Sequence, residues 1–85
     1  MNNPYLLLKN APLNQLLEVK NIMNCDQHGL LQHGITPGEK LRIISNYAFQ
    51  PMLIEVRNAF IALDNVYAVN ILVEKLQPID REHKE

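Results

Sequence analysis

Cys25, Asp26, His28 and His33 place a thiol, a carboxylate and two imidazoles in one short run, "CDQHGLLQH". Such donors can hold a divalent transition metal. Cys25 and His28 are three apart and can meet on one helix face, but His28 and His33 are five apart, about 140° around the axis. Imidazoles on opposed faces do not chelate one ion. The spacing therefore predicts exposed polar residues on a short helix, with Cys25 and His28 as the only remaining metal candidates, and no cofactor.

Nucleophilic chemistry has little to build on. Ser45 is the only serine and falls inside a predicted strand with no elbow motif around it. Gly29, Gly34 and Gly38 are the only glycines, so no phosphate-binding loop exists and nucleotide hydrolysis is excluded. The chain does not read as an enzyme.

A different chemistry attaches to Tyr47, Phe49, Pro51 and Met52, two aromatics and a flexible thioether around an interrupted turn. One reading is that some of them cap the open end of a barrel. The other is a recognition surface, since aromatics and Met are enriched where partners dock. The second reading places that surface on the loop from Tyr47 to Met52 together with the exposed side of the helix around His28 and Gln32. Stacking single-stranded nucleic acid would need a basic groove as well. A net charge of −1 and a sequence pI near 6.3 supply none, so no nucleic-acid partner is expected.

The elements that position these residues follow from period and punctuation. With 85 residues, 47% of them apolar and 20% charged, the composition predicts one folded domain and not a disordered chain. Residues 1–12, between an early proline and Pro12, read as an N-terminal extension that packs on the domain or on a second copy, and weak self-association stays open. "LLEVKNI" sets Leu17 and Val19 against Glu18 and Lys20, a half-buried strand with a bulge near Asn21. Asp26 is the expected N-cap of a two-turn helix whose buried side is Leu30 and Leu31. Gly34 fits its left-handed C′ position, with Ile35 packing back on Leu30. Thr36-Pro37-Gly38-Glu39 reads as a type II turn.

Downstream, Leu41 and Ile43 alternate with Lys40 and Arg42, and Met52, Ile54 and Val56 with Leu53, Glu55 and Arg57. A tight Asn58-Ala59 turn returns the chain through "NAFIAL". Asp64 caps a single helical turn, and Val69, Ile71 and Val73 point inward in the last strand. Five short strands with a brief helix after the first imply an all-β fold with a small α contribution, a barrel that closes on itself and so removes exposed edges. Residues 13–76 form that barrel and 77–85 a charged, disordered tail. No apolar run approaches the ~20 residues of a membrane span, and the N-terminus lacks signal-peptide features, so a cytoplasmic location without membrane insertion is expected. The single Cys25 agrees with a reducing compartment.

The pattern Leu-Leu-x-x-Gly-Ile-x-Pro-Gly, carried by Leu30, Leu31, Gly34, Ile35, Pro37 and Gly38, resembles the ferrous iron transport protein A family (FeoA), which also occurs as the C-terminal domain of iron-dependent repressors of the diphtheria-toxin type. The resemblance runs from Leu13 to Leu76 and continues through Ile54, Val56, Ile61, Leu63, Ala68, Ile71 and Val73. It implies an SH3-like five-stranded barrel and a small accessory of bacterial ferrous iron uptake. The implied partner is a membrane permease with a G-protein domain (FeoB). The chain departs from the family where the middle loop keeps only Pro51 of a Gly-Asp-Pro element and where "DNVYA" replaces a commonly basic segment. A metal-responsive regulator binding a transition metal through the Cys25 and His28 region is the alternative reading.

Overall fold

The structure, a computed structural model, describes residues 4–76. Six strands form one antiparallel sheet: β1 (Tyr5–Leu7), β2 (Leu16–Ile22), β3 (Lys40–Ser45), β4 (Met52–Val56), β5 (Ala59–Leu63) and β6 (Ile71–Lys75). Helix α1 (Gln27–Gln32) joins β2 to β3, and the single-turn α2 (Asn65–Ala68) joins β5 to β6. Strand order is β1-β6-β2-β3-β4-β5. The inward positions of β2 to β6 meet in one cluster, Leu17, Val19, Leu41, Ile43, Met52, Ile54, Val56, Leu63, Ile71 and Val73, and every one of them is at most 3% exposed. Burying a side chain of this size stabilises by about 1.5–3 kcal/mol relative to exposure. No buried polar or charged side chain interrupts the cluster among the described residues.

Local punctuation around α1 behaves as the sequence predicts, whereas Asp64, although it stands at the N-cap of α2, makes no side-chain cap hydrogen bond. The Asp26 carboxylate accepts a hydrogen bond from the His28 N–H at 3.0 Å and starts α1. At the other end Ile35 N–H donates to Leu30 O and Gly34 N–H to Leu31 O, both at 2.9 Å, with Gly34 at φ +79°. That is the Schellman ending, and Leu30 and Ile35 are both 1% exposed. Glu39 N–H bonds Thr36 O at 3.0 Å across Pro37 and Gly38, and Gly38 sits at φ +95°. Val19 then pins the turn, donating to Glu39 O at 2.8 Å and accepting from Gly38 N–H at 2.7 Å. The bulge in β2 falls between Val19 and Asn21, where the register with β6 shifts.

Several expectations are corrected by tertiary pairing. The N-terminal extension packs on the domain, one of its two expected alternatives, but does so as a sixth strand: Tyr5–Leu7 pairs with β6, Leu6 opposite Val73. The chain then turns through a 3₁₀ segment, Leu8–Asn10, whose Leu8 is completely buried, and Lys9 Nζ reaches Asn65 Oδ1 in α2 at 2.9 Å. Leu31, expected inward, is 59% exposed, because six helical residues present only Leu30 to the core. Val69, expected as the first inward residue of the last strand, is the C-cap of α2 and stays exposed. The β4–β5 turn is Arg57-Asn58, both at positive φ, one residue earlier than expected. The barrel also does not close by hydrogen bonding: among the described residues β1 pairs only with β6 and β5 only with β4, so two edges remain. The expected tail, 77–85, lies outside the described residues.

Candidate functional site

The loop between β3 and β4 is held at both ends and bare in the middle. Asn46 Nδ2 donates to Lys9 O at 2.9 Å, tying the loop to the 3₁₀ segment. At the far end Met52 enters β4 opposite Leu63 and is wholly buried. Met52 is therefore a core residue and leaves the predicted recognition set; strand alternation places it with Ile54 and Val56. Between these anchors Gln50 N–H bonds Tyr47 O at 3.3 Å, closing a turn with Phe49 as the second of its two central residues. Phe49 sits at φ +65° and is 100% exposed, while Tyr47 is 65% exposed and Pro51 is exposed. A bulky residue in the left-handed region is a genuine outlier. Its ring gains nothing from the fold, which removes the barrel-capping alternative for Phe49.

The helix residues assigned to the same surface lie elsewhere. Gln32 and His33 flank a groove with Arg57, Ala59, Phe60 and Ala62, at the turn end of the β4–β5 hairpin. His28 lines a shallow depression with Leu31, Thr36 and Pro37. The loop opens at Met52 and the groove at Val56, four residues along one strand or about 13 Å. The structure thus separates the predicted surface into three patches, one around Phe49, one around Gln32 and Phe60, and one around His28.

Metal donors do not converge. Cys25 is a half-buried free thiol packed against the core, His28 is exposed, and the Asp26 carboxylate is engaged as the helix cap. Among the described residues no group of three or more His, Cys, Asp or Glu side chains could hold a metal ion.

Two features escape sequence reasoning. The first is a corner in which Arg57 lies across Gly34 to reach Glu39, Nε to Oε2 at 3.1 Å and the second guanidinium nitrogen to Oε1 at 3.0 Å. This hydrogen bonding holds the Glu39 carboxyl below the usual carboxylate range. The partners are eighteen residues apart and nothing local couples them. The second is Phe60, 67% exposed on β5, whose outward parity was readable beside inward-facing Leu63. On the opposite flank Glu18 and Glu74 stand directly across β2 and β6, and Lys20 Nζ bridges them at 3.6 and 3.3 Å.

No helix among the described residues is long and apolar enough to cross a membrane. No curated protein sequence matches the chain significantly. The structure is similar to a crystal structure of the iron uptake regulatory protein FeoA, with a TM-score of 0.78 and 23% identity over 85% of this chain and 99% of that one. The solution structure of a FeoA-like protein from Clostridium acetobutylicum aligns with a TM-score of 0.74 and 20% identity over 93% and 95%. A manganese-dependent transcriptional repressor aligns with a TM-score of 0.75 and 21% identity over 89% of this chain but only 44% of its own. Likeness at this identity establishes a shared fold, the SH3-like fold of the FeoA proteins. The sequence profile of the FeoA domain matches residues 6–75, nearly the whole described chain, and the protein belongs to the FeoA family.

Proposed function

We propose that this chain is a small cytoplasmic accessory of ferrous iron uptake that acts by contact, not catalysis, on a membrane permease carrying a G-protein domain, with the Phe49 loop as the contact. Family membership implies the role in ferrous iron transport. The observation that supports a contact mode is Phe49 itself: a fully exposed aromatic held at positive φ by a loop whose two ends are anchored. Solvent does not reward such a ring, whereas a partner pocket would bury it, and preformed geometry lowers the entropy lost on docking. Tyr47 and Pro51 extend the apolar area on either side.

The test is co-purification and affinity measurement with the permease's cytoplasmic domain, with and without guanine nucleotide. Phe49→Ala should weaken binding by about 2–4 kcal/mol, the range of a buried hot-spot residue, and leave the melting temperature unchanged. Binding that is unaffected by Phe49→Ala in a folded protein would refute the loop as the contact. Absence of any complex would refute the permease as partner.

A further inference from the structure

We propose that the free edge of β5 pairs with the same edge of a second copy of this chain, antiparallel and centred on Ile61. The two-residue Arg57-Asn58 turn has both residues at positive φ, 54° and 64°, and the register is Val56 opposite Ala59, Ile54 opposite Ile61 and Met52 opposite Leu63. In such a hairpin the residues flanking the turn exchange both backbone bonds, and every second pair does the same. Ala59, Ile61 and Leu63 thus direct their N–H and C=O groups to β4. Phe60 and Ala62 turn theirs outward, and among the described residues no hydrogen bond reaches them there. A groove runs between this edge and the last turn of α1.

The edge is complementary to itself. With Ile61 at the two-fold axis, Phe60 stands opposite Ala62 of the second copy, and each such pair exchanges both N–H···O=C bonds. A large ring meets a methyl group on the exposed face, at both ends of the pairing. A slip of one residue would oppose backbone groups that point away from each other. "AFIAL" contains no charge and no proline, the residues by which exposed edges are kept solitary.

Analytical ultracentrifugation of the full chain over a wide concentration range reads the association. A single short strand pair makes a small interface, so a reversible dimer with Kd between roughly 1 µM and 1 mM is expected. Ala62→Pro removes an outward N–H and no β4 bond, and should weaken the dimer at least about tenfold. Because proline could also disturb β5, a second measurement uses Cys25→Ser chains carrying either Phe60→Cys or Ala62→Cys. Mixed and oxidised, they should form a disulfide-linked pair, while either variant alone should not, its two thiols lying beyond disulfide reach. A chain that stays monomeric up to about 1 mM, or cross-links that form as readily within one variant as between the two, would overturn the pairing.

Discussion

Replacing Gly34 by alanine separates two effects that the structure superimposes at one corner. The first is conformational: at φ +79° a Cβ costs roughly 1–2 kcal/mol against the following carbonyl. The second is contact. An added Cβ would stand 3.0 Å from Arg57 Nε and 3.1 Å from its Cδ, so the arginine must give way by a few tenths of an ångström, which strains its fork on Glu39. Gly38→Ala isolates the first effect, because φ there is +95° and nothing lies within 4 Å of the added atom. For a domain of this size each 1 kcal/mol lowers the melting temperature by roughly 4–8 °C. Thermal melts of Gly34→Ala should therefore show a fall of roughly 5–15 °C. In an Arg57→Ala background the same substitution should cost less, falling to its backbone cost alone, because the side chain it displaces is gone. Equal losses in both backgrounds would refute the placement of Arg57 over Gly34. No loss in either would refute the left-handed helix ending.

Met52→Ala should destabilise by about 2–5 kcal/mol in chemical denaturation, as for other large-to-small changes in a packed core, whereas Pro51→Ala next to it should stay within about 0.5 kcal/mol. The Glu39–Arg57 pair should be visible as a pH effect. The Glu39 carboxyl is held below its ordinary range in the folded chain, so the unfolded chain takes up the proton first as pH falls. The pair's stabilisation is thus fully present above the ordinary carboxylate range and is lost as pH falls from that range through the lowered value of the folded carboxyl. Melting temperatures of the native chain and Glu39→Gln should differ at neutral pH and converge in acid; a difference that persists in acid would assign it to packing.

What the sequence determined alone is what depends on neighbours a few residues away. The α1 cap at Asp26, the ending at Gly34 and Ile35 and the Pro37-Gly38 turn are closed by hydrogen bonds spanning two to five residues, so residue type and spacing suffice. Alternation likewise placed Leu41, Ile43, Ile54 and Val56 inward, since each strand buries one face. Met52 obeys that same alternation, and assigning it to the loop surface overrode a period that the chain already carried. Exposure of Phe49 was different. Its composition allowed either a cap or a docking residue, and only the anchoring of Asn46 to Lys9, thirty-seven residues away, left the ring outside. Tyr5–Leu7 has no period of its own and became a strand because Leu72–Glu74 offered an edge. Whether the sheet would close was undecidable for the same reason. Closure depends on where β1 and β5, at opposite ends of the strand order, come to lie, and that is set by the packing of all six strands around one core. Local preference does not encode such long-range pairings, and here they decide that the β5 backbone remains available.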